Sequence, residues 1–147
     1  MKKTLKIFTL LMLVLLIAAT VMSTACAPTV SYNPTEANIT SRTELGSGAK
    51  TVTFLAVGKT NEAALFTIHT DAKYLAEALL AHGLIAGEET SYSFTVYTVN
   101  GEEANFNTDS AYWALWEGDT YANCGASSLE IKDGGCYSFV YTKSTWE

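Results

Sequence analysis

The stretch Thr51-Val-Thr-Phe-Leu-Ala-Val57, Gly58-Lys-Thr-Asn61, Ala64-Leu-Phe-Thr-Ile-His-Thr70, then Asp71-Ala-Lys-Tyr-Leu-Ala-Glu-Ala-Leu-Leu-Ala81 decides the architecture. The first and third pieces are dense in β-branched and aromatic residues, and the Gly58–Asn61 punctuation between them reads as a hairpin. The fourth places Leu75, Ala78, Leu79 and His82 on one face at helical spacing. Thr70 or Asp71 is positioned to cap a helix over Ala72–Ala81, and Gly83 to end it.

Working outward, Ser91–Val99 reads as a third strand closed by Asn100-Gly101. Ala111–Trp116 reads as a fourth, turning at Gly118-Asp119 toward a short strand around Tyr121. Leu129–Ile131 leads through Asp133-Gly134-Gly135 to a last strand, Cys136–Thr142. Two strands, a helix and at least three more strands define an α+β domain with a mixed sheet and one main helix. One helix covers one face of a sheet, yet aromatic residues alternate to both. Tyr112 and Trp116 oppose Trp113 and Leu115; Tyr92, Phe94 and Val96 oppose Tyr97 and Val99; Tyr137, Phe139 and Tyr141 oppose Val140. Three covers for the second face are open: the Glu102–Ser110 connection with Phe106, a ring-containing ligand, or a protein partner.

Upstream, Lys2, Lys3 and Lys6 precede an apolar run, Ile7–Met22, and small residues Ser23, Thr24 and Ala25 precede Cys26. This is the layout of a secretory signal over 1–25. Ser-Thr-Ala-Cys resembles a lipobox, which implies lipidation of Cys26 and anchoring on the outer face of a bacterial membrane. Cleavage after Ala25 or Ala27 without lipid, or a free thiol, are the other readings. Residues 26–49 hold both prolines of the chain, with many Ser, Thr and Asn. They read as a flexible tether of roughly 25 Å reach, followed by one folded domain over 50–147. Asn38-Ile39-Thr40 matches a glycosylation sequon in pattern alone.

Beyond the leader, six basic residues face fifteen acidic ones, a net charge of −9. No basic cluster exists to bind nucleic acid, and no glycine-rich phosphate loop is present. Two histidines and three cysteines without Cys-x-x-Cys spacing do not build a zinc site. His69 reads as a strand surface residue and His82 as a helix C-terminal one. Glu88-Glu89 and Glu102-Glu103 read as solvated pairs rather than an acid/base couple. Asp109, Glu117 and Asp119 lack calcium-loop spacing. No catalytic set, no resident cofactor and no metal site is expected. If Cys26 takes lipid, Cys124 and Cys136 remain as a disulfide pair or as two inert buried thiols; closure of that loop contributes about 3 kcal/mol.

The series Asp71–Leu79, Phe94-Thr-Val-Tyr-Thr-Val-Asn-Gly101, Ala111-Tyr-Trp-Ala-Leu-Trp-Glu-Gly118, Cys124-Gly-Ala, Ile131-Lys-Asp-Gly134 and Tyr137-Ser-Phe-Val-Tyr141 resembles the transcobalamin-like C-terminal domain of bacterial surface proteins. The resemblance implies a β-grasp fold of the soluble-ligand-binding type, related to the smaller domain of transcobalamin and intrinsic factor. It implies a non-enzymatic module that presents a surface to a small soluble ligand such as cobalamin or another corrinoid in uptake. On that likeness Phe94, Tyr97, Tyr112, Trp113 and Trp116 are the ligand-facing candidates. The alternative is a structural or adhesive module whose aromatic face meets another cell-surface protein.

Overall fold

The computed structural model describes residues 37–144. Eleven elements follow in chain order: β1 (Asn38–Gly46), β2 (Lys50–Val57), β3 (Glu62–Thr70), α1 (Leu75–Ala81), β4 (Ile85–Glu89), β5 (Phe94–Val99), β6 (Glu102–Glu103), α2 (Phe106–Asp109), β7 (Ala111–Glu117), β8 (Thr120–Tyr121) and β9 (Cys136–Lys143). They form a six-stranded mixed sheet, β1-β3-β2-β9-β7-β8, and a three-stranded sheet, β4-β5-β6. The α+β class with a mixed sheet is as the sequence implies; the helix follows three strands rather than two, because β1 precedes the expected hairpin.

Alternation within the strands divides the core. Val52, Phe54 and Ala56, Ala64, Phe66 and Ile68, Trp113 and Leu115, and Tyr137 and Phe139 turn to one face. There they pack with Leu75, Ala78 and Leu79 of α1, and with Leu84, Ile85 and Val99. Phe54 sits centrally, stacked on Phe66 and edge-on to Phe139. On the opposite face Leu55, Val57, Ala63, Leu65, Ala114 and Val140 make a second buried cluster, with Ala37, Ile39 and Trp116 against it. Phe106 does not cover that face: it stands 58% exposed on the four-residue α2.

The expected tether of 26–49 fails over its second half. Asn38–Gly46 is an edge strand, parallel to β3 with a bulge at Thr40. Its side chains are mostly exposed, so hydropathy carries no trace of it; ladder hydrogen bonds to β3 hold it. Gly46-Ser47-Gly48 is likewise a tight crossing rather than a loose hinge. A Cβ on Gly46 (φ +75°) would lie 2.4 Å from His69 O, and one on Gly48 would lie 2.3 Å from the Thr70 carbonyl carbon. Residues 26–36 and the expected signal over 1–25, with Cys26, lie outside the described residues.

The helix is shorter than expected. Thr70 and Asp71 do not cap it: Thr70 Oγ1 accepts from Ala72 N–H and Asp71 Oδ1 from Ala49 N–H. Its N-cap is Tyr74, and Glu77 reaches back to accept from Lys73 N–H (3.1 Å) and Tyr74 N–H (3.3 Å). The first helical N–H groups, on Leu75 and Ala76, donate to Leu129 O and Ala126 O. The distant 126–129 loop thus completes the cap, which no local pattern reveals. At the other end Gly83 is left-handed (φ +64°), and the Leu84 and Gly83 N–H groups donate to Leu79 O and Leu80 O. That is a Schellman closure with glycine at C′, as expected.

Candidate functional site: a cleft between two open strand edges

β6 pairs with β5 only at Thr98 and Val99, and β8 pairs with β7 only at Trp116 and Glu117. The Ala122 N–H extends the second pairing to Leu115 O. Among the described residues, Phe94–Val96 of β5 and the first part of β7 therefore lack strand partners on their facing edges, although Phe94 N–H donates to Ser127 Oγ at 3.5 Å. The gap is a cleft of about 460 Å³, walled by Phe94 and Val96 on one side and Tyr112, Trp113 and Leu115 on the other. Tyr121 and Cys124 also line it. Its volume lies in the range of small-molecule pockets, roughly 300–1,000 Å³.

One bond sets the width. The Trp113 indole N–H donates to Tyr97 O at 3.0 Å, and the same carbonyl accepts from Ala104 N–H at 2.9 Å. Tyr97 can serve two donors because it occupies a bulge: Ala86 pairs with Thr98 while Gly87 pairs with Val96. The extra residue redirects its backbone. It also reverses the alternation, so that Val99 faces the core with Phe94 and Val96 rather than opposing them. A regular strand was the natural reading of Phe94–Val99, and a bulge leaves no mark in the hydrophobic pattern. Trp113 is itself 7% exposed, with Tyr141 edge-on at 5.6 Å.

Of the five aromatic candidates, Phe94, Tyr112 and Trp113 line the cleft. Tyr97 contributes its carbonyl while its side chain is 42% exposed outside. Trp116 lies on the other sheet face against the second cluster, edge-on to Tyr121 at 5.5 Å. Trp116 therefore braces a wall residue. The sequence marks Tyr121 only as part of a short strand; its place in the wall follows from the β7–β8 hairpin. Burial, and next the neighbouring Tyr112 phenol, hold its hydroxyl above the ordinary tyrosine pKa.

The expected Cys124–Cys136 bridge is not formed. Cys124 is a free thiol in the cleft wall, whereas Cys136 is disulfide-bonded to a different partner. Alternation explains the separation. Cys136 shares its parity with Val140 and the outer cluster, while Cys124 packs against the inner one.

Neither histidine reaches the cleft. His69 joins Glu44 (Nε2 to Oε1, 2.7 Å) and Thr51 (Nδ1 to Oγ1, 3.0 Å) on the exposed sheet face, and His82 is the C-cap of α1. Glu102 caps the β2–β3 turn by accepting from Lys59 N–H. Glu117 pairs with Lys132 at 2.6 Å. Among the described residues no group of three or more His, Cys, Asp or Glu could hold a metal ion.

Solved structures of the same fold exist; seventeen chains match. One is a candidate metal-binding protein from Ruminococcus gnavus ATCC 29149, 26% identical, with a TM-score of 0.63 over 65% of this chain and 99% of that one. Another is haptocorrin in complex with Cbi, 21% identical, TM-score 0.50, over 67% of this chain. The chain spans 26% of the haptocorrin chain. The likeness to haptocorrin is one of fold. No family model matches the sequence, and no curated protein matches it. The comparison supports a fold shared with haptocorrin, without a family assignment.

Proposed function

We propose that this is an exported, non-catalytic module that binds a soluble ring-containing ligand in the β5–β7 cleft, with a corrinoid as the first candidate. The observation that carries the reading is the cleft itself. It has aromatic walls from Phe94, Tyr112 and Trp113 and two facing strand edges that offer backbone donors and acceptors. A flat ligand with an apolar body and polar substituents suits such a slot. The corrinoid candidate draws on the motif resemblance and on the fold shared with haptocorrin, whose solved complex contains Cbi.

Export is supported by the leader composition of residues 1–25. The disulfide at Cys136 agrees with an oxidising compartment. Anchoring as a bacterial outer-face lipoprotein, which the lipobox resemblance implies, is a separate part of the proposal: a lipid on Cys26 competes with a disulfide for the same sulfur, and the mass of the Cys26 peptide decides between them. No resident cofactor or metal enters it.

Calorimetric titration of the full chain with cobinamide and with cobalamin tests the reading. Saturable binding that is lost in Tyr112→Ala, with an unchanged thermal midpoint, is the expected result. No heat with either corrinoid would remove that ligand class. Saturable capture of another surface protein through the same aromatic wall would replace the reading by the adhesive one.

A further inference from the structure

β1 is the terminal strand of the large sheet among the described residues. It is nine residues long and, among the described residues, pairs on one side only, with β3. Proteins protect such edges with proline, lysine, bulges or a covering element, because an open ladder recruits another strand. In β1 the bulge at Thr40 lies toward one end, and Ser41–Gly46 runs in regular register with no proline and no lysine. Arg42, Thr43 and Glu44 are exposed. In a strongly acidic domain this strand is locally neutral, with one arginine and one glutamate two residues apart.

We infer that β1 is a self-association edge, pairing antiparallel with β1 of a second copy about a two-fold axis through Thr43. An isologous contact makes each residue meet its mirror position. Centred on Thr43, the register places Arg42 of each copy opposite Glu44 of the other, and Ser41 opposite Leu45. Two opposite-charge pairs then form, and both lie on one sheet face because Arg42 and Glu44 share their parity. On that face Glu44 also meets His69 of β3 at 2.7 Å, a contact that the incoming arginine would share or replace. A one-residue slip in either direction sets both charges against uncharged residues, and a two-residue slip sets Arg42 or Glu44 against its own like charge, so the charge pattern selects one register. The result is a continuous twelve-stranded sheet, with the β5–β7 cleft of each copy left at the far ends.

The test uses the full chain in membranes or detergent, with Cys124→Ser to remove the free thiol. Residues opposite each other in an antiparallel pair have Cα atoms about 4.5–5.5 Å apart, within disulfide reach of about 4.4–6.8 Å. Thr43→Cys should yield a disulfide-linked dimer under mild oxidation. Arg42→Cys and Glu44→Cys should each link at least about 5-fold less alone, and should link when mixed. Independently, Arg42→Glu should weaken association about 30-fold, equivalent to about 2 kcal/mol, and Glu44→Arg should do the same. Mixing these two variants should restore it, because each then supplies the charge the other lost. Far-ultraviolet circular dichroism and melting of each variant separate lost pairing from lost folding. Equal linkage at positions 42, 43 and 44, no linkage above the parent, or no rescue on mixing folded variants would overturn the inference.

Discussion

The indole of Trp113 hydrogen-bonds the carbonyl of Tyr97 across 3.0 Å and so joins the large sheet to the small one beside the cleft. The motif resemblance names both residues among the ligand-facing candidates, yet their roles differ. Trp113 is wall, core and tie together; Tyr97 contributes through a bulged backbone.

Trp113→Ala should destabilise the domain by about 3–5 kcal/mol, because a buried aromatic is removed and the cavity collapses only in part. Trp113→Phe should lose chiefly the indole hydrogen bond, about 1 kcal/mol, since Tyr97 O keeps Ala104 N–H as a donor. Trp116→Ala, at a partly buried site, should cost less than half as much as Trp113→Ala. Urea denaturation of the three variants checks the order; equal losses at positions 113 and 116 would contradict the assignment of faces.

Tyr121 should ionise above the ordinary tyrosine value of about 10, through burial first and the Tyr112 phenol second. A group whose folded pKa is raised in this way leaves stability unaffected below the unfolded pKa. Stability is then lost as pH rises through and beyond it, where the unfolded chain has released a proton that the folded one retains. Difference titration at 295 nm of wild type against Tyr121→Phe reads the shift. Tyr112→Phe should move that titration back toward the ordinary value, and no movement would show that burial alone sets it.

Gly48→Ala should destabilise by about 2 kcal/mol or more, because its Cβ would lie 2.3 Å from the Thr70 carbonyl carbon. Gly101→Ala, left-handed at φ +80° but with open space around it, should cost only the backbone term, about 1–2 kcal/mol. Thermal melts of the pair separate close approach from conformational strain. Equal shifts would mean that the β1–β2 crossing can yield.

Native alkylation followed by peptide mapping should label Cys124 without reductant and Cys136 only after reduction. A linked Cys124–Cys136 peptide would contradict the structure. The same digest reports on Cys26, whose sulfur can hold a thioether-linked lipid or a disulfide but not both. A diacylglyceryl mass on its peptide supports anchoring, and its absence removes that part of the proposal.

The sequence alone determined the elements whose signal is local. Gly58–Asn61 between two β-rich runs marks a hairpin, Gly83 ends a helix, and Gly118-Asp119 and Asp133-Gly134-Gly135 turn strands. Alternation placed Trp113 and Leu115 opposite Trp116. The motif resemblance, rather than alternation, named three of the residues that line the cleft, Phe94, Tyr112 and Trp113. Tertiary structure decided what depends on partners distant in sequence. β1 is a strand because β3 accepts its ladder, although its own composition reads as a tether. The N-terminal donors of α1 find acceptors at Ala126 and Leu129 rather than in a local cap. The bulge at Tyr97 reverses the faces of β5 within the strand. Cys124 and Cys136, close enough in sequence to suggest a bridge, are directed to opposite faces of one sheet. Hydrophobic periodicity records which way a side chain points relative to its neighbours in the chain; it carries no record of which distant backbone group completes a hydrogen bond.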